Sequence, residues 1–204
     1  MSDPVVPEPE FAELLRRAQA GDQKALGDLV SGHLPSLHAL VRLNAGPLLR
    51  AYESHSDLVQ TCCGRLIRDI AAFRGGDSRS FRAWLIQLVI HKLNDRRKYL
   101  RAQRRAPAAQ AMPLSDHQQA LLSKSYCAFS SPSQAAMLQE TRERLEAAFD
   151  ELNEEQQEVL SLFVYAGLGH DEIGLRTGRS AQASRALLAR ARARLALRMG
   201  EAKP

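Results

Sequence analysis

Aromatic side chains make up only 5% of this 204-residue chain, and no stretch alternates β-branched with polar residues, so the signatures of a β-sandwich or barrel are missing. Three cysteines, Cys62, Cys63 and Cys127, supply neither a disulfide framework nor a paired Cys-x-x-Cys zinc motif. His33 and His38 lie near each other in sequence, but their spacing fits no common metal site. No apolar run reaches membrane-spanning length, and Met1 to Glu10 is acidic and proline-rich where a secretory signal would be basic and apolar. Gly-x-Ser-x-Gly, P-loop and His-Glu-x-x-His signatures are absent too, and no convergent acid, base or nucleophile set is visible. These absences point to a cytoplasmic, all-α chain that is not an enzyme, needs no cofactor and has no membrane association.

What is present is alanine, leucine, arginine and glutamine at helical spacing, with a net charge of +5 and an isoelectric point near 9.4. The placement of the charge says more than its total. Arg96, Arg97, Lys98, Arg101, Arg104 and Arg105 form one basic block, Arg179 to Arg198 another, and Glu140 to Glu158 between them is strongly acidic. Each basic block reads either as a solubilising surface or as half of a bipartite footprint on a polyanion.

Along the chain, residues 1–10 read as a disordered lead-in. Phe11 to Ala20 and Gln23 to His33 form a helical pair broken at Gly21-Asp22, with Asp22 capping the second helix. Pro35 opens a further helix and Pro47 punctuates its far end. From Ser56 to Ala72, Leu58, Cys62, Leu66 and Ile70 fall four apart with Val59, Cys63 and Ile67 beside them, which predicts a helix with a wide buried face. Phe73 to Arg79 reads as a loop, because its paired glycines disfavour helix. A second helix runs from Ser80 to about Arg105. Alanine, proline, serine and glutamine then dominate without periodicity, and residues 106–133 read as a flexible linker. The expected architecture is two small helical domains, over 11–105 and 134–200, on either side of it.

The second domain ends in a helix-turn-helix. Asp171 and Glu172 suit the start of its short first helix, Gly178 supplies the corner, and Ser180 caps the long helix that follows. Leu187, Leu188, Ala191 and Leu195 form the buried stripe of that helix. Gln182, Ala189 and Ala193 point away from it, flanked by Arg185 and Arg192 on one side and Arg190 and Arg194 on the other. A slim outer face edged by cations suits a DNA groove, while such helix pairs also occur as plain packing units.

Two further groups of residues complete a family pattern. Asp57-Leu58-Val59-Gln60, Phe73-Arg74-Gly75 and Phe81-Arg82-Ala83-Trp84-Leu85, followed by a helix ending in a basic run, resemble the second conserved region of the bacterial sigma-70 family of RNA polymerase initiation factors. Leu152-Asn153-Glu154-Glu155-Gln156-Gln157-Glu158-Val159-Leu160 and Gly167-Leu168-Gly169-His170-Asp171-Glu172-Ile173 resemble its fourth region. With no third region between them, the chain resembles the short extracytoplasmic-function (ECF) type. It departs from the family at Thr61, Cys63, His91 and Gly174, the last replacing a usual alanine.

The resemblance implies a specificity subunit that binds core RNA polymerase, directs it to promoters and helps melt them. Asp57, Leu58 and Gln60 would dock on the clamp helices of the largest subunit, although Asp57 also suits a helix cap. Arg74, Gly75, Asp77, Ser78, Arg79, Phe81, Trp84, His91, Asn94, Arg96, Arg97 and Lys98 would hold the minus-ten element, both as duplex and as melted strand. Trp84 fits a stacking role and, by its spacing with Phe81, Leu85 and Leu88, equally a core role. Arg179, Ser180, Gln182, Ala183, Arg185, Ala189 and Arg190 would meet the minus-thirty-five element. The family resemblance also leaves room for an anti-sigma partner. The competing reading is a helix-turn-helix regulator that binds duplex DNA without polymerase.

Overall fold

Proline fixes its own φ and removes a donor, yet a long apolar stripe of the amino-terminal half runs straight through one. A computed structural model describes residues 7–105 and 132–200. In it α1 (Glu8–Gln19) is followed by α2 (Gln23–Asn44), which contains Pro35 in its interior. Asp22 caps α2 as expected, accepting from the amides of Lys24 and Ala25. The expected break at Pro35 does not occur. Leu29 and His33 before it and Leu37, Leu40 and Val41 after it are all buried, and one continuous packed face offsets a proline penalty of about 3 kcal/mol. Pro47 sits in the first turn of α3 (Gly46–Tyr52), so it opens a helix and does not close one. At the amino end, α1 begins at Glu8, placing residues 8–10 in a helix whose first turn contains Pro9.

The next helix, α4 (His55–Asp69), continues as a 3₁₀ turn (Ile70–Ala72) and leads through residues 73–77 into α5 (Ser78–Arg105). Five aromatic rings close this corner: Phe81 lies 5.6 Å from each of Phe11, Phe73 and Trp84 and 4.9 Å from His33. The His33 Nδ1–H donates to the Leu29 carbonyl, so the histidine is a satisfied core residue. Cys62 is fully buried on the inner face of α4, where burial pushes its thiol up to about 12. The expected linker falls almost wholly on residues 106–131, outside the described residues.

The carboxy-terminal half comprises α6 (Pro132–Asp150), α7 (Glu154–Tyr165), α8 (His170–Thr177) and α9 (Ala181–Gly200). Asn153 and Gln156 form a reciprocal capping box at the start of α7. No strand occurs among the described residues, in keeping with the all-α expectation. The two halves pack against each other, α2 on α6 and α5 on α7, and their buried apolar residues form one cluster.

Candidate nucleic-acid interface

The start of α4 is fixed by a local exchange. Ser54 Oγ accepts from the Asp57 amide at 3.1 Å and donates to the Asp57 carboxylate at 2.6 Å. Ser54 is therefore the N-cap, Asp57 supports it from the first turn and still lies exposed, as does Gln60. Leu58, expected beside them as a contact, is 1% exposed and supports the helix from beneath, because its position faces the core. Ile67, expected on the buried face, is instead 46% exposed. At helical spacing Asp57, Gln60, Gly64, Ile67 and Arg68 form one outer stripe of α4, with a glycine at its centre. The sequence signal for Ile67 was weak, since one apolar residue at the edge of a wide apolar face has no pattern of its own.

The corner before α5 is held tightly. Asp77 accepts from the Ser80 amide and hydroxyl, both at 2.8 Å, and these bonds hold its carboxyl below the usual range. A Cβ on Gly75 would lie 2.3 Å from the Phe73 ring, so only glycine fits there. Arg74 is exposed and donates to the Ala71 carbonyl at 2.9 Å. The Ser78 amide and hydroxyl both donate to Glu8 of α1. Arg79 donates to the Gly167 carbonyl at 2.6 Å and pairs with Glu172 of α8 at 2.8 Å.

Further along α5 the expected contact residues divide. Phe81 is fully buried and is a core residue, because α1, α2 and the 73–77 loop all pack rings on it. Trp84 is half-buried, with one side in that cluster and the other lining a groove of about 270 Å³ that it shares with Arg65, Asp69, His91, Lys92 and Asp95. His91 and Lys98 are exposed. Arg96 is half-buried, pairs with Glu53 at 2.5 Å and lies over the Tyr99 ring. Asn94 and Arg97 bond to each other, and Arg97 turns inward to donate to the Asn44 and Ala45 carbonyls at the end of α2. Only 8% exposed, Arg97 is a helix C-cap and not a free cation, and burial lowers its pKa.

In the carboxy-terminal half, α8 ends at Gly178, whose φ of 69° lies in the left-handed region. The Ser180 hydroxyl then caps α9 by accepting from the Ala183 amide at 3.1 Å. Ser184, Leu187, Leu188 and Ala191 are buried, and Gln182, Arg185, Ala189 and Arg190 are exposed, with Ala183 half-buried between them. Arg179, expected with this face, pairs instead with Glu155 at 3.0 Å and Glu158 at 3.4 Å on α7. It braces the turn against the helix behind it. Arg192 lies 5.0 Å over the Phe163 ring, and that ring stacks on His170.

A left-handed glycine corner joining two helices, the second with its outer residues exposed, is the arrangement of a helix-turn-helix DNA-binding protein. Residues 29–106 match Sigma-70 region 2, and residues 142–195 match Sigma-70, region 4. The chain belongs to the sigma-70 family. It is 28% identical over 200 residues to RNA polymerase sigma factor NccH of Alcaligenes xylosoxydans xylosoxydans, covering 96% of this chain and 95% of that one. It is also 28% identical over 182 residues to the ECF RNA polymerase sigma factor SigD of Mycobacterium bovis, covering 89% and 80%. The fold is similar to that of CnrH in complex with the cytosolic domain of CnrY, with a TM-score of 0.58 at 23% identity over 94% of this chain and 98% of the other. It is similar as well to the sigma factor RpoE in complex with the anti-sigma factor NepR from Bartonella quintana, with a TM-score of 0.56 at 19% identity over 88% and 99%. This chain is a sigma factor of the ECF type: it binds core RNA polymerase, directs it to promoters and promotes their melting.

Proposed function

We propose that three surfaces divide this work. The outer stripe of α4, with Asp57, Gln60 and Ile67, docks on the clamp helices of the polymerase largest subunit. Arg74 to Arg79, with Trp84, His91, Asn94, Arg96 and Lys98, receives the minus-ten element, and the exposed side of Trp84 is the stacking surface for a melted base. Gln182, Ala183, Arg185, Ala189 and Arg190 meet the minus-thirty-five duplex. Residues 11–105 and 134–200 then act as the two promoter-binding domains of a non-enzymatic, cytoplasmic subunit.

The observation that carries this reading is the coexistence in one chain of an exposed stripe on α4, with Asp57, Gln60 and Ile67, and an exposed recognition-helix face. A regulator acting without polymerase has no use for the first. An anti-sigma partner fits as well, since the sigma factor RpoE was solved in complex with the anti-sigma factor NepR. The test is reconstitution with the cognate core polymerase on a promoter template. Transcripts that require this protein are expected; promoter binding without core, and no transcript with it, favour the regulator.

A further inference from the structure

Helix α1 holds the corner before α5 at both of its own ends. At its start, Glu8 accepts from the Ser78 amide at 3.1 Å and from the Ser78 hydroxyl. At its far end, the Gln19 side-chain amide donates to the Phe73 carbonyl at 2.8 Å and to the Ile70 carbonyl at 3.2 Å. Ile70 and Phe73 precede the corner and Ser78 follows it, so one helix grips both sides. The spacing of Glu8 and Gln19 along α1 makes this possible. At about 100° and 1.5 Å per residue it amounts to about three full turns, which puts both side chains on one face about 16 Å apart. Between them Phe11, one turn after Glu8, sets its ring 5.6 Å from that of Phe81, one turn after Ser78.

The corner has little to order it from within. Residues 74–76 make no backbone–backbone hydrogen bond among the described residues, and Gly75 and Gly76 are two of the three. Gln19 fixes the carbonyl side of this segment and Glu8 the amide side. A glycine-rich segment between two fixed ends has fewer conformations open to it than one whose ends move.

We propose that α1 is a brace that presets the corner for a melted base, with Glu8 and Gln19 as its two positioning residues. Both act through the loop. With its ends fixed, Arg74 and the backbone of Gly75 and Gly76 hold one arrangement before DNA arrives, so strand binding has less disorder to remove. The role in strand binding rests on the minus-ten reading above; the ordering of the corner does not.

The test compares wild type, a Glu8→Ala, Gln19→Met brace variant and a Leu49→Val core control, each as holoenzyme with the cognate core polymerase. Two quantities are read: hydrogen exchange of peptides covering residues 70–80, and affinity for a fluorescent single-stranded oligonucleotide carrying the non-template minus-ten sequence. In the brace variant these peptides exchange faster while those of α9 do not change. Its oligonucleotide affinity falls about fivefold, as when the competent corner drops to about a fifth of the population. The sign is diagnostic, because Glu8→Ala removes a negative charge and by electrostatics alone would strengthen DNA binding. The control, altered at a fully buried residue of α3, keeps wild-type exchange at the corner and wild-type affinity. Unchanged exchange over residues 70–80 in the brace variant overturns the brace, and a control that loses as much affinity assigns the effect to general destabilisation and overturns the positioning role. Faster exchange with unchanged affinity also overturns that role where Arg74→Ala, Trp84→Ala weakens binding of the same oligonucleotide. If that variant leaves affinity unchanged as well, the minus-ten reading falls and the brace stands.

Discussion

Gly174 of α8 approaches the Arg179 carbonyl so closely that a Cβ on it would lie 2.6 Å from that oxygen and 3.3 Å from the Ala181 amide nitrogen. Glycine in a helix costs up to about 1 kcal/mol of local stability relative to alanine, and by that measure alone the residue looks unfavourable. Here the close approach sets the corner between the two helices of the DNA-binding motif. Gly174→Ala is therefore expected to destabilise the protein by about 1 to 3 kcal/mol, because backbone and not a flexible side chain must give way. Urea unfolding measures this. A variant as stable as the wild type, gaining the helix propensity of alanine, would show that the corner relaxes without cost.

On α4, Asp57→Ala with Gln60→Ala is expected to weaken binding to core polymerase while leaving most of the fold intact. Some loss of stability, about 0.3 to 1 kcal/mol, follows from removing a first-turn carboxylate that bonds the Ser54 cap. Ile67→Glu separates the effects, since this exposed residue takes no part in the cap. It should weaken core binding at unchanged melting temperature. Affinity for core equal to wild type in both variants removes the stripe from the docking surface.

The ring nitrogens His38 Nδ1 and His55 Nε2 are 3.0 Å apart, close to Arg42, which pairs with Glu146 across the interface. Burial, helped by Arg42 and His38, pushes His55 down to about 4 from its ordinary 6.5. The unfolded chain therefore binds more protons between those values, so this contribution to stability is present above about pH 6.5 and is lost as the pH falls towards 4. Allowing for solvent screening of a half-exposed group, the loss is about 1 to 2 kcal/mol. The carboxyls of Asp22 and Asp77 are held below their ordinary 3.8 and titrate beneath this window. Urea unfolding at pH 7 and pH 5 should show the loss, and His55→Gln should shrink it. Identical pH dependence in both proteins would assign the effect to other groups.

Arg179 and Arg185 are both near the recognition helix but should fail differently. Arg185→Ala is expected to cost about 1 to 3 kcal/mol of discrimination at one promoter position with the fold unchanged. Arg179→Ala removes the pairs to Glu155 and Glu158, so it should lower the melting temperature first. Promoter binding to a panel of single-base variants, alongside thermal unfolding, distinguishes the two. Equal loss on every sequence for Arg185→Ala would make it a phosphate contact.

Features decided locally were legible in the sequence. Asp22, Ser180 and Gly178 cap or turn the chain where their side chains and backbone freedom predicted, and the buried stripe of α9 follows its spacing. Features decided by distant partners were not. Pro35 sits within α2 because Leu29 and Leu37 on either side of it share one packed face. Leu58, Phe81 and Arg97 belong to motifs that suggested contact residues, yet neighbouring helices bury all three. Arg97 is the clearest case, since a basic run gives no sign that one of its members turns inward to the Asn44 carbonyl. The pairing of the two halves had no local signature either, because it links arginines to carboxylates about a hundred residues apart.

The most direct measurement is permanganate footprinting of a promoter duplex with the cognate core polymerase. The account predicts reactive thymines over the minus-ten element only when this protein and core are both present, with reactivity lost in Asp57→Ala, Gln60→Ala. Thymines left unreactive with both components, on a duplex the protein protects by itself, would contradict it.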